Sequence, residues 1–80
     1  YKRQAKDPLR NLKNLGIVLV TLASRAAIRG GLSPEISFSL SDSYIQQIEE
    51  CKDLALVAPL AHKAEFQYAE MVHEIKEKAF

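Results

Sequence analysis

Near the C-terminal end, Glu70-Met71-Val72-His73 sets a carboxylate and an imidazole at the Glu-x-x-His spacing by which carboxylate-bridged helical bundles present metal ligands. That chemistry needs two such pairs and a carboxylate from each of two further helices, all pointing inward. One copy is present, so the pair reads as a solvated helix edge with local salt bridging, and no metal site is expected. His62 precedes His73 by eleven residues, about 16 Å along a helix, too far to share an ion with it. The lone Cys51 has acids around it and no histidine nearby, and so lacks the electropositive setting of a reactive thiol. It reads as a small buried hydrophobe, consistent with a reducing, cytoplasmic setting. Ser33, Ser37, Ser39, Ser41 and Ser43 read as caps and turn residues. Gly30-Gly31 run into a Ser-Pro helix start with no lysine to follow, so they form no phosphate loop. No enzymatic activity, cofactor or small-molecule ligand is expected.

The cations are the other chemical signal. Residues 1–30 hold seven Lys and Arg against Asp7 alone, +6, whereas residues 31–80 hold four lysines against nine acids, −5. One reading is that the two parts attract each other, within the fold or across a dimer. The rival reading is a basic arm aimed at phosphate, with Lys2, Arg3, Lys6, Arg10 and Lys13 as contacts. Nothing aromatic interleaves these cations as single-strand binding would want. Residues 33–52 also suggest two short helices at a helix–turn–helix spacing. The second of them would set Asp42, Glu49 and Glu50 against the phosphates, which opposes direct DNA binding by that segment.

The elements that position these residues are all helices. Asp7 and Pro8 cap and open the first, and Gly30 closes it, for a helix over residues 8–29. Leu9, Leu12, Leu15 or Gly16, Leu19, Leu22 or Ala23, and Ala26 recur at the period of one helix face. Residues 15–23 carry no charge, so burial on every side is expected there, with Gly16 marking a close approach by another helix, of this chain or of a second subunit. In Arg29-Gly30-Gly31-Leu32-Ser33-Pro34-Glu35 a glycine stop meets a Ser-Pro start, which folds the chain back on itself. A short helix over residues 34–39 is expected next, then one over 42–52 capped by Ser41 or Asp42. The last starts at Leu54 with a kink at Pro59, or near Ala58, and runs to residue 78. The reading is an all-α bundle of about four helices in one domain spanning residues 1–80.

At 80 residues with no disulfide, such a core contributes only about 3–5 kcal/mol, and association often adds the rest. Completion by homodimerisation is therefore expected, with Leu12, Leu15, Leu19, Leu22, Tyr68, Met71, Val72 and Ile75 in the core or interface. No run of apolar residues is long enough to cross a membrane, and Tyr1-Lys2-Arg3 is no signal sequence. With no initiator methionine, the chain reads as a piece of a longer protein.

Three groups of residues also carry a family resemblance: Leu9-Arg10-Asn11-Leu12-Lys13-Asn14-Leu15; Thr21-Leu22-Ala23-Ser24-Arg25-Ala26-Ala27-Ile28-Arg29-Gly30-Gly31; and Leu40-Ser41-Asp42-Ser43-Tyr44-Ile45 with Ile48-Glu49. Together with Tyr68 and Val72, they resemble the helical region that precedes the paired helix–turn–helix domain of AraC/XylS-type bacterial transcription regulators. The resemblance covers roughly residues 9–73. Pro59 and Gly16 depart from its pattern, which has uninterrupted helix at the first and a larger apolar residue at the second. The resemblance implies a cytoplasmic DNA-binding parent protein, with this chain as its linker or oligomerisation segment and DNA contacted by a domain beyond Phe80.

Overall fold

A computed structural model describes residues 7–78, which form three helices and no strand: α1 (Pro8–Arg29), α2 (Pro34–Glu50) and α3 (Leu54–Lys78). Each helix packs on both others, with α1 meeting α3 most extensively. The all-α class stands; the helix count of four does not. Residues 34–50 form one helix of 17 residues, and neither Ser41 nor Asp42 caps a new one. The reason lies in the side chains that α2 buries. Ser37, Ser41, Tyr44 and Ile48 follow at four, three and four residues, so a single helical face runs straight through the supposed break. Within that helix the Ser41 hydroxyl donates to the Phe38 carbonyl, 3.0 Å away. The helix–turn–helix spacing suggested by residues 33–52 is lost with it.

The ends of α1 follow from local chemistry. Asp7 Oδ1 accepts the Arg10 N–H at 3.1 Å, and Pro8 occupies the first turn, where its missing donor is harmless. At the far end the Leu32 N–H reaches the Ala27 carbonyl at 2.9 Å and the Gly31 N–H reaches that of Ile28 at 3.0 Å. This is the Schellman pairing, sealed by Leu32 and Ala27, both buried in one apolar cluster. Only Gly31 takes a positive φ, 114°. Gly30 is small for another reason: a Cβ there would lie 2.8 Å from Val72 Cγ1 on α3. Ser33 then caps α2 by accepting from the Ile36 N–H at 3.5 Å.

Two alternatives left open at the start of α3 resolve to Leu54. Asp53 Oδ1 accepts from the Ala55 N–H at 3.0 Å, and the helix continues through Pro59. The carbonyl that Pro59 cannot bond is that of Ala55. Both residues are exposed, so water is at hand to satisfy it.

The core uses only part of the leucine stripe of α1: Leu9 and Leu12 pack half buried against its edge, while Leu15 and Leu22 stay outside. That helix buries Lys13, Gly16, Val20, Ser24 and Ala27, a face turned about one residue from the leucines. Gly16 sets this rotation: a Cβ on it would stand 3.2 Å from Val57 Cγ1 of α3 and 3.4 Å from Ile48 Cδ1 of α2. The close approach at Gly16 is thus made by the chain's own helices. Val20, Tyr44, Ile48, Cys51, Val57 and Ala64 form the main apolar cluster around it. Burial of residues 15–23 on every side does not occur within one chain, since Leu15, Val18 and Leu22 remain half exposed. Gly16→Leu should therefore force α1 off α2 and α3. Overpacking of this kind costs about 1–3 kcal/mol, which for a domain this size lowers the midpoint by at least about 4 °C. Thermal unfolding followed by circular dichroism reads the shift.

Candidate functional site

Two polar assemblies tie the helices together. The first spans all three helices. Ser37 Oγ on α2 donates to the Ser24 carbonyl on α1 at 2.9 Å, the two hydroxyls lie 2.6 Å apart, and Tyr68 Oη on α3 donates to the Ser37 carbonyl at 2.7 Å. All three side chains are buried, so Ser37 is an interhelical link and not the cap or turn residue expected. In this setting each hydrogen bond is stronger than at the surface, and losing one leaves a dry unpaired group. Tyr44 makes a parallel tie, donating to Gln67 Oε1. Burial, and after it the neighbouring Tyr68, holds the Tyr44 phenol above its ordinary range.

The second assembly sits at the C-terminal end of α2. Arg10 clasps both carboxylate oxygens of Glu49, at 2.9 and 3.1 Å, and Lys13 Nζ donates to the Glu49 carbonyl at 2.6 Å. Lys13 thereby satisfies one of the carbonyls that a helix end leaves free, and its cation complements the negative end of the helix dipole. The hydrogen bonds from Arg10, followed by the charges of Arg10 and Lys13, hold the Glu49 carboxyl below its ordinary value. The same contact keeps the Arg10 guanidinium firmly protonated. Of the five cations considered for phosphate contact, Arg10 and Lys13 are thus engaged by Glu49. Lys2, Arg3 and Lys6 lie outside the described residues.

The candidate chemical residues lie apart. His73 is exposed, with Nε2 3.3 Å from Glu77 and not paired with Glu70. His62 is exposed beside Glu65, at 3.4 Å. No group of three or more His, Cys, Asp or Glu among the described residues is placed to hold a metal ion. Cys51 is buried at the C-cap of α2, donating its N–H to the Ile48 carbonyl. No described helix is long and apolar enough to cross a membrane.

What remains is surface. Of the residues expected in the core or interface, Tyr68 is buried, while Leu12, Leu19, Met71 and Val72 are half buried. Leu15, Leu22 and Ile75 are exposed. Leu15, Val18 and Leu22, at 55, 51 and 55% exposure, line the outer face of α1 at spacings of three and four residues. Sequence periodicity places Leu15 and Leu22 on the inner face and does not single out Val18. The neighbour of this outer face is an open groove of about 430 Å³ between α1 and α3, lined by Ala23, Ala26, Tyr68, Ala69 and Val72 together with Glu65, His73 and Lys76. This face is the candidate functional site. No family model, curated protein or solved structure matches the chain.

Two consequences are measurable. Glu49 titrates lower in the fold than in the unfolded chain, so the stability it contributes is present above about pH 4.5 and lost as pH falls through its depressed value. Arg10→Ala should flatten that part of the acid branch in urea unfolding repeated at descending pH. Tyr68→Phe removes one buried hydrogen bond at constant shape and should lower stability by about 1 kcal/mol, read from the urea midpoint at neutral pH.

Proposed function

We propose that this chain is the non-catalytic association and linker module of an AraC-type transcription regulator. It couples a sensor region to a helix–turn–helix DNA-binding domain and works as a homodimer in the cytoplasm. DNA is bound through the downstream domain, and no cofactor or small ligand is needed in this segment. The observation that carries the reading is the half-exposed apolar face of Leu15, Val18 and Leu22. Solvating three large aliphatic side chains in one stripe is unfavourable for a small domain with little core to spare. The assignment to this class of regulator rests on the resemblance alone, and that resemblance runs through the same helix.

Direct nucleic-acid binding by the basic segment is the second reading. The commitment of Arg10 and Lys13 to Glu49 counts against it, because each engaged cation is one fewer to neutralise a phosphate.

Light scattering after size exclusion should give a dimer at high micromolar concentration, and Leu15→Glu with Leu22→Glu should give a folded monomer. The wild-type unfolding midpoint should rise with protein concentration, as it must when association is linked to folding. A well-folded wild-type monomer at that concentration would defeat the association reading. For the regulator assignment, the coding sequence beyond Phe80 should encode two helix–turn–helix units; an unrelated continuation would remove it.

A further inference from the structure

The outer face of α1 has a regular composition. Asn11, Leu15, Val18, Leu22, Arg25 and Arg29 follow one another at alternating steps of four and three residues, the spacing of a coiled-coil seam. All six are exposed, and the apolar residues stand in the middle with polar residues at both ends. An apolar centre with a polar rim is the layout of an interface.

Charge decides how that seam is filled. Arg25 and Arg29 form no ion pair among the described residues, while the exposed Asp7 marks the opposite end of the helix. Parallel pairing of two copies would set Arg25 against Arg25 and Arg29 against Arg29, like charges in contact. Antiparallel pairing brings Asp7 of one copy to Arg29 of the other and Asn11 to Arg25. It also sets the helix dipoles antiparallel, with the N-terminus of one helix beside the C-terminus of the other. Leu15 of each copy then meets Leu22 of the other, with Val18 at the centre. One patch thus serves both copies, as a two-fold interface requires.

We propose that a second copy of this chain docks antiparallel on the outer face of α1, about a two-fold axis passing close to Val18. This rests on the association reading above and specifies its geometry. Disulfide trapping tests it in a Cys51→Ala background whose helicity and dimer mass have been verified before oxidation.

Val18→Cys should cross-link to its own copy. Neither Asn11→Cys nor Arg25→Cys should do so alone, but the two refolded together should yield the mixed disulfide. That product should exceed either homodisulfide by about tenfold, because a disulfide needs Cα atoms within about 7 Å. Homodisulfides of Asn11→Cys and of Arg25→Cys would overturn the antiparallel geometry. So would a verified dimer in which no α1 cysteine links, and in both cases the association reading would stand. A monomer before oxidation would overturn both.

Discussion

The contact between Gly16 and the side chains of Val57 and Ile48 governs the rest of this fold. A helix packs closest where its side chains are smallest, so α1 turns Gly16, Ser24 and Ala27 toward its neighbours. Gly16 weakens the helix by about 1 kcal/mol relative to alanine, and the close packing of Val57 and Ile48 against its backbone offsets that loss. The rotation that admits this contact carries Leu15 and Leu22 to the opposite side. An inward glycine and outward leucines are one structural fact, and the outward face follows from how the core is built.

Apolar packing alone leaves helices free to slide, and the polar ties remove that freedom. The Ser24–Ser37–Tyr68 assembly lies between the cluster centred on Val20 and Ile48 and the one formed by Ala27, Leu32 and Tyr68. Because its partners are buried, a slip of any helix would leave hydroxyls or carbonyls dry and unpaired, at about 1–3 kcal/mol each. The Arg10–Lys13–Glu49 assembly does the same at the other end and is more tolerant, since water can replace a lost contact at the half-exposed Arg10 and Glu49 side chains. The register of the bundle is therefore set most firmly toward the end where α1 turns into α2.

Local signals in the sequence were enough to place the ends of α1 and the turn to α2, because Asp7-Pro8, Gly30-Gly31 and Ser33-Pro34 act through their own backbone. They misplaced a boundary at Ser41-Asp42 because a serine that caps and a serine that packs inside a helix have the same composition, and only the neighbouring helix distinguishes them. The buried face of α1 was misread for a related reason. Hydrophobic periodicity weights leucine over glycine, serine and alanine, whereas close helix packing favours the small residues. The pairing of Lys13 with the Glu49 carbonyl had only the charge division of the chain as its signal, and that division does not say which cation meets which acid.

That division takes on a definite meaning once the contacts are known. The excess positive charge of residues 1–30 is partly answered inside the fold, where Arg10 and Lys13 close the end of α2. Arg25 and Arg29 are not answered by any ion pair among the described residues, and they lie in line with the exposed leucines. Desolvating a row of leucines favours association without regard to direction, because burial of apolar area has no orientation. Charges at the ends of that row do have one, since like charges brought together oppose a pairing and opposite charges favour it. In the antiparallel docking proposed above, the apolar centre of this face would supply affinity, and Asp7, Arg25 and Arg29 at its ends would select the orientation.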